Sequence, residues 1–335
     1  MKNSQITLRA NITAVGKYTP ENIITNYDFE KNIDTTHDWI VSRTGIKERR
    51  KVSKGETSVS MAVHAIKEII DLKNLNPEDI DAIIVATITP DMFFPSCACL
   101  IQKEIGANNA WGFDLSAACS GFVFALETAT NMIESSKYKK IIVVGVDTMS
   151  TIIDSQDRNT SVLFGDGAGA VLVEPTQKNG IIDSIMKIDG NGGKFLYMPG
   201  GGSLNPASMR TIEKGLHYVK QDGASVFKRA VKGMTDITLE IMNNNRLNNN
   251  DINLFVAHQA NKRIIDLVSS KIQLDNEQVF INIDKYANTT AATIPIALYD
   301  ALKANRINDE DNIIITTFGA GFTWGAIYIK WNADE

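Results

Sequence analysis

The chain is poor in the residues that staple or metallate proteins, with three cysteines and four histidines in 335 positions. An odd number of cysteines without framework spacing excludes a disulfide scaffold and points to reduced thiols in a cytosolic compartment. Cys97 and Cys99 stand two apart, too few and too close to build a zinc site with scattered histidines. No run approaches eighteen uninterrupted apolar residues, so no membrane span is expected. The opening Met1-Lys2-Asn3-Ser4-Gln5 lacks the apolar centre of a signal peptide, and a cytoplasmic protein is the expectation. A net charge of −5 argues against general nucleic-acid binding while leaving room for a local basic patch. With 44% hydrophobic residues the chain is an ordinary globular one, long enough for one large domain or two moderate ones.

What is present is a repeated α/β grammar. Strands are expected at Ile6 to Val15, Ala82 to Ile88, Trp111 to Leu115, Ile141 to Val146 and Ala170 to Glu174. Helices are expected at Ser58 to Leu72, Phe94 to Ile105 and after Cys119, where Phe122, Leu126, Ala129 and Ile133 recur at spacings of three and four. After Glu174-Pro175 the pattern restarts. Strands are expected at Ile181 to Ile188, Asp251 to Ala257, Val279 to Ile283, Ile313 to Thr317 and Ala326 to Trp331. Between them fall helices at Val226 to Met242, Ile264 to Ile272 and Ala291 to Leu302. Asp79-Ile80-Asp81-Ala82-Ile83-Ile84-Val85-Ala86 is echoed by Asp251-Ile252-Asn253-Leu254-Phe255-Val256-Ala257. The reading is a weak internal duplication, with α/β halves 1–175 and 176–335. The cluster Gly165-Asp166-Gly167-Ala168-Gly169 lacks a P-loop lysine and precedes a strand, so close backbone packing explains it better than phosphate binding.

Three residues at strand-to-helix turns stand out. Cys119 follows the Trp111 to Leu115 strand, at a helix start whose unpaired N–H groups favour an anion, and a thiol there is expected to be pushed toward thiolate. His258 ends the strand that echoes Ala82 to Ile88, and Asn288 stands in the turn that corresponds to the cysteine's. A buried cysteine, a core histidine and an asparagine N-cap are the structural alternatives. Together they compose a nucleophile and two hydrogen-bond donors for carbonyl chemistry. His37, His64 and His217 sit in polar or helical-surface contexts and receive no role.

These segments resemble the beta-ketoacyl-acyl carrier protein synthase III family of thiolase-like condensing enzymes, nearly end to end. The resemblance is carried by Asp38-Trp39-Ile40 with Arg43-Thr44-Gly45-Ile46, Ala117-Ala118-Cys119-Ser120-Gly121-Phe122 and Phe164-Gly165-Asp166-Gly167-Ala168-Gly169-Ala170. It continues through Pro199-Gly200-Gly201-Gly202-Ser203, His258-Gln259-Ala260-Asn261, Asn288-Thr289-Thr290-Ala291-Ala292 and Phe318-Gly319-Ala320-Gly321-Phe322-Thr323-Trp324-Gly325. It implies a thiolase-like fold, two pseudo-duplicated α/β halves packed as a layered αβαβα sandwich, and a decarboxylative condensation that initiates type II fatty acid synthesis. The N-terminal half would carry the nucleophile and the C-terminal half the histidine and asparagine.

By the same resemblance, Cys119 would take an acyl group from acyl-CoA, while His258 and Asn288 would stabilise the enolate of malonyl-acyl carrier protein. Backbone N–H groups of Cys119 and Ala320 would form the oxyanion hole. Trp39, Arg43 and Arg158 would hold the nucleotide of coenzyme A, and Gly223, Phe227, Asn261 and Phe318 would line the pantetheine path. Phe94 would cross a homodimer interface to limit the partner's acyl pocket. Lys228, Lys262, Arg263 and Lys271 would attract the acidic carrier protein. No metal or other cofactor is called for, acyl-CoA being a substrate. Ala287 and Asn159 depart from the family, both standing where relatives usually carry glycine; the first could tighten the turn that aims Asn288. A biosynthetic or degradative thiolase is disfavoured, because no second cysteine falls in a late glycine motif. The alternatives are a related condensing enzyme or acyltransferase of quinolone or polyketide metabolism, and a non-enzymatic partner subunit. The latter commonly lacks the active cysteine present here.

Overall fold

The computed structural model describes residues 8–333. The first half lays down β1 (Arg9–Tyr18), α1 (His37–Thr44), α2 (Ser58–Lys73), β2 (Ala82–Ala86), α3 (Cys97–Ile105), β3 (Trp111–Leu115), α4 (Gly121–Glu134), β4 (Ile141–Asp147) and β5 (Gly167–Thr176). The second half adds β6 (Gly180–Ile188), α5 (Gly223–Asn244), β7 (Leu254–Ala257), α6 (Lys262–Lys271), α7 (Thr293–Lys303), β8 (Asn312–Gly319) and β9 (Thr323–Lys330). One sheet has the order β1-β5-β4-β2-β3 and the other β7-β8-β9-β6. In each, the strands that precede the site run parallel, β3 with β2 and β2 with β4, and β7 with β8. The sheets part between Thr176 and Gly180, close to residue 175.

Strands that read as continuous apolar runs are sorted by the pleat, because successive side chains point to opposite faces. Ile84, Val143, Val256, Ile315 and Ile327 turn inward, onto α4 and α7, which together form the middle layer. Ile83, Val85, Ile142 and Val144 turn outward onto α2 and α3. On the far side Phe255, Ala257, Ile314 and Tyr328 meet α5 and α6. The result is the αβαβα sandwich. The middle helices bury apolar residues toward both sheets, as a helix between two sheets must, and polar residues such as Asn131 and Glu134 are left exposed near the end of α4; Phe122, Leu126, Ile294 and Leu298 are fully buried.

Two glycines of the flagged cluster show why no side chain stands there. A Cβ on Gly165 would meet the Tyr286 oxygen at 2.4 Å, and one on Gly169 would meet Pro295 at 2.7 Å. Close backbone packing between the halves is therefore their role.

The structure departs from expectation at three places. The first strand starts at Arg9, and Ile6 and Thr7 lie outside the described residues. Helix α3 begins at Cys97 rather than near Phe94, because Ser96 caps it by accepting from the Cys99 N–H at 3.3 Å. Val279 to Ile283 is not a strand. It makes one bridge, Val279 to Phe255, and then Ile283 opens a short helix, Ile283–Tyr286. The Gln259 side chain accepts the Asn282 N–H at 3.1 Å, diverting a donor that a longer ladder would have used.

Candidate active site

Cys119 lies in a 3-10 turn, Ala118–Ser120, between β3 and α4. Ala118 holds φ at +49°, a left-handed conformation that costs an alanine on the order of 1–2 kcal/mol. The turn is fastened to the last hairpin: Ser120 Oγ donates to the Thr323 carbonyl at 3.1 Å, and Thr323 Oγ1 donates to the Ala117 carbonyl at 2.9 Å. Gly319 permits this approach, since a Cβ there would stand 2.9 Å from the Cys119 nitrogen.

The second half presents a turn of the same build. A 3-10 turn, Thr290–Ala292, enters α7 and opens on Thr290 at φ +51°. Just before it, Asn288 is gripped by the first half through its backbone. Its N–H donates to the Leu163 carbonyl and its carbonyl accepts from the Gly165 N–H, both at 3.0 Å. Its side-chain oxygen accepts from the Thr290 N–H at 2.8 Å, so the NH2 is the end turned to other partners. His258 follows β7, with its N–H donating to the Thr316 carbonyl at 2.8 Å and its Nδ1 2.7 Å from Thr293 Oγ1. The neighbouring Gln259 is structural, donating to the carbonyls of Ala257 and Phe280.

Cys119, His258 and Asn288 thus line one cavity of about 80 Å³, along with Gly223, Phe227, Asn261 and Phe318. Ala320 borders a larger chamber of about 410 Å³ that also reaches Cys119, walled by Ile88, Met149, Ile152, Leu196 and Val219. Phe164 borders both.

The site's electrostatics correct one expectation. Burial, reinforced by the nearby Asp147 charge, pushes the Cys119 thiol up to about 12, against smaller opposing effects of its own backbone and the Asn288 side chain. Desolvation outweighs the helix start, and the thiol is neutral at rest rather than a thiolate. Burial also lowers the His258 pKa to about 3, so the imidazole is neutral too. Asp147, whose pKa burial raises, ends β4 and among the described residues meets no cation. Its Oδ1 accepts from Thr87 Oγ1, the Ile88 N–H and Thr89 Oγ1 at 2.8–3.0 Å, and its Oδ2 accepts from Thr290 Oγ1 and the Ala291 N–H.

The other residues named from sequence lie outside the cavity. The Arg158 guanidinium stacks 4.7 Å over the Trp39 ring and donates to the Asp34 carbonyl at 2.8 Å, while Arg43 is exposed at the end of α1. Asn159 is exposed on the short helix begun by Arg158, and its N–H is held by Asp157. Arg263 packs over Phe227 at 5.1 Å, joining the basic residues to the cavity wall. Lys262 is bound by both oxygens of Asp266 at 2.8 Å, and Lys271 stands at the opposite end of α6, roughly 14 Å along its axis. Lys228 is exposed on α5, and Phe94, 85% exposed, borders neither chamber. His37, His64 and His217 lie elsewhere, the first two stacked on Tyr27 and Tyr18. Among the described residues no group of three His, Cys, Asp or Glu side chains is placed to hold a metal ion, and no helix is long and apolar enough to cross a membrane.

Sequence reasoning missed Leu163, Asp147 and Thr293, and gave no separate role to Phe164, Gly319 and Thr290 within the motifs it quoted. Asp147 carried a signal, an acidic residue closing an apolar strand. The threonines carried none.

Two layered sheets around a buried helix pair, with a cysteine, a histidine and an asparagine at converging turns, define a thiolase-like condensing enzyme. Comparison with known proteins agrees. Residues 113–190 match the family model 3-oxoacyl-[acyl-carrier-protein] synthase III and residues 242–331 its C-terminal model. A beta-ketoacyl-[acyl-carrier-protein] synthase III of Koribacter versatilis is 49% identical over 96% of this chain and 98% of its own. Among solved structures, the 3-oxoacyl-[acyl-carrier-protein] synthase III of Aquifex aeolicus superposes with a TM-score of 0.90 at 40% identity, covering 96% of this chain and 100% of its own. The priming beta-ketosynthase of the R1128 polyketide pathway has a TM-score of 0.90 at 32% identity and 97% coverage of both chains. The chain belongs to the beta-ketoacyl-acyl carrier protein synthase III family.

Two predictions follow from this geometry. Ala287 adopts φ +57° and ψ −156° immediately before Asn288, a region that glycine occupies without strain. Replacing Ala287 by glycine should raise stability by about 1 kcal/mol, read as a higher thermal midpoint; a lower midpoint would contradict the strain. The second concerns pH. His258 stays neutral in the fold to about pH 3, whereas in the unfolded chain it binds a proton near 6.5. Between those values the unfolded state holds more protons, so stability falls with falling pH. The urea midpoint of wild type relative to His258→Gln should therefore decline from pH 7 to pH 4, and a constant difference would refute the buried neutral state.

Proposed function

We propose that this chain joins an acyl-CoA primer to malonyl-acyl carrier protein, with Cys119 as the acyl carrier and His258 and Asn288 as donors to the enolate. In the first step the Cys119 sulfur attacks the primer carbonyl, a new thioester forms, and coenzyme A leaves with the thiol proton. In the second, the carbon–carboxylate bond of the malonyl group breaks, and its electron pair moves into an enolate whose oxygen accepts hydrogen bonds from His258 and Asn288. The enolate carbon then attacks the acyl-Cys119 carbonyl. Carbon dioxide and 3-oxoacyl-carrier-protein leave, and the released sulfur takes up a proton from water. N–H groups of Cys119 and Ala320 would hold the oxyanion; losing one such donor typically costs on the order of 3–4 kcal/mol in the barrier.

The observation that carries this reading is that three uncharged groups, a thiol, an imidazole and an amide, border one small cavity. Decarboxylation removes no proton from carbon, so it needs donors and no strong base, and a histidine held neutral serves as a donor. The stacked Trp39 and Arg158, with Arg43 nearby on α1, offer a platform for the adenine. Gly223, Phe227, Asn261 and Phe318 suit the pantetheine path. The larger apolar chamber suits the primer's alkyl chain. Lys228 and Arg263 form the stronger part of the basic patch for carrier protein, since Asp266 neutralises Lys262 and Lys271 is remote. Exposed Phe93 and Phe94 and the uncovered edge strand β3 with Trp111 support a homodimer. The halves 1–175 and 176–335 are read as a duplicated pair that supplies the cysteine from one side and its helpers from the other. The chemistry needs no cofactor, and a cytoplasmic location fits it. The 49% identity to a beta-ketoacyl-[acyl-carrier-protein] synthase III, against 32% to the polyketide priming enzyme, favours the primary-metabolism reading.

Mass spectrometry after incubation with acyl-CoA should find the acyl adduct on Cys119 and none in Cys119→Ser; undiminished acylation of that variant would refute the assignment. In the same series His258→Ala should slow carbon dioxide release from malonyl-acyl carrier protein by about 100-fold or more and acylation less, and the reverse order would rule out the donor role.

A further inference from the structure

A neutral imidazole carries its proton on one ring nitrogen and presents a lone pair on the other, and the partner of one nitrogen decides what the other can do. For His258 that partner is Thr293. The hydroxyl of Thr293 has one proton and two acceptors in reach, His258 Nδ1 at 2.7 Å and the Thr290 carbonyl at 3.1 Å. If the proton goes to the carbonyl, Nδ1 must itself be protonated and donate to Thr293. Nε2 would then be a bare lone pair, repelling an enolate oxygen. If the proton goes to Nδ1, Nε2 carries the ring proton and can stabilise that oxygen.

Resting on the reading of His258 as an enolate donor, we propose that Thr293 is a positioning residue: its hydroxyl donates to His258 Nδ1 and fixes the proton on Nε2. The shorter of its two contacts is the one to the ring. The backbone around the hydroxyl is held still, because Thr290 Oγ1 and the Ala291 N–H both donate to the buried Asp147 carboxylate. The same turn aims Asn288, whose side-chain oxygen takes the Thr290 N–H at 2.8 Å. Asp147, Thr290 and Thr293 thus orient both helpers from behind. Among the described residues no carboxylate partners the ring, and burial keeps it neutral. Of those residues, the Thr293 hydroxyl is the side-chain group in hydrogen-bond contact with the ring.

The test labels the four histidines with ¹⁵N and assigns His258 by its loss in His258→Gln. Wild type should show an unprotonated Nδ1 and a protonated Nε2. Thr293→Val, which keeps the side chain's shape but removes the proton, should shift that pattern toward a mixture. It should slow condensation by pre-acylated enzyme about 10-fold or more beyond any change in Cys119 acylation, the direction expected when a catalytic histidine holds the wrong tautomer. Thr293→Ser should restore both readouts to within a few-fold. A wild-type His258 protonated on Nδ1 overturns the proposal even if Thr293→Val fails to fold, as does a Thr293→Val enzyme with an unchanged condensation-to-acylation ratio. If His258→Ala condenses normally, the donor reading falls instead, while the ¹⁵N pattern still reports separately on Thr293.

Discussion

The site depends on a short backbone weld between the halves. Asn288 pairs through its N–H and carbonyl with Leu163 and Gly165, forming a one-residue parallel bridge inside the protein. Buried backbone groups must find partners, and here each half supplies what the other lacks. Around this bridge stand the contacts that demand small residues. Besides Gly165, Gly145 allows the Ala291 carbonyl to approach, since a Cβ there would meet that oxygen at 2.2 Å. Asp147 closes the arrangement by gathering donors from the loop after β2 and from the turn after Asn288. The cysteine turn is fixed independently, by Ser120 and Thr323. Cys119 on one side and His258 and Asn288 on the other are thus held by separate fastenings that share one frame.

The chemistry follows from how dry that frame is. A thiol and an imidazole that are both neutral at rest form a poor base and nucleophile pair, and such a site would serve badly for abstracting a proton from carbon. Decarboxylation makes a carbanion equivalent without that step. What it needs is fixed dipoles aimed at the developing oxyanion, which act most strongly where water is excluded. The buried Asp147 charge belongs to the scaffold. Its lone pairs are taken up by neutral donors, and its charge adds to burial in raising the Cys119 pKa.

Much of this was legible in the sequence. Strands such as Trp111–Leu115 and Leu254–Ala257 announced themselves as short apolar runs, and their ends placed Cys119 and His258. Asn288 was found through the duplication, and the structure gives its turn the same construction as the cysteine's, a 3-10 turn opened by a left-handed residue. Three things were not legible. The Val279 to Ile283 segment has strand composition, yet its ladder is cut by a side chain from another loop. The thiol's protonation was misjudged because a helix start is local, whereas desolvation and the Asp147 charge come from distant parts of the chain. Thr290 and Thr293 look like any residues at a helix start, and only the folded turn shows one reaching Asp147 and the other His258.

Native-state hydrogen exchange at the Asn288 and Gly165 amides tests the weld most directly. If the halves are joined there, both protons should exchange only through global unfolding, with the same opening free energy as the β4 amides of Val143 and Val144. Exchange through a local opening several kcal/mol below the global value would show that the bridge is not what holds the site together.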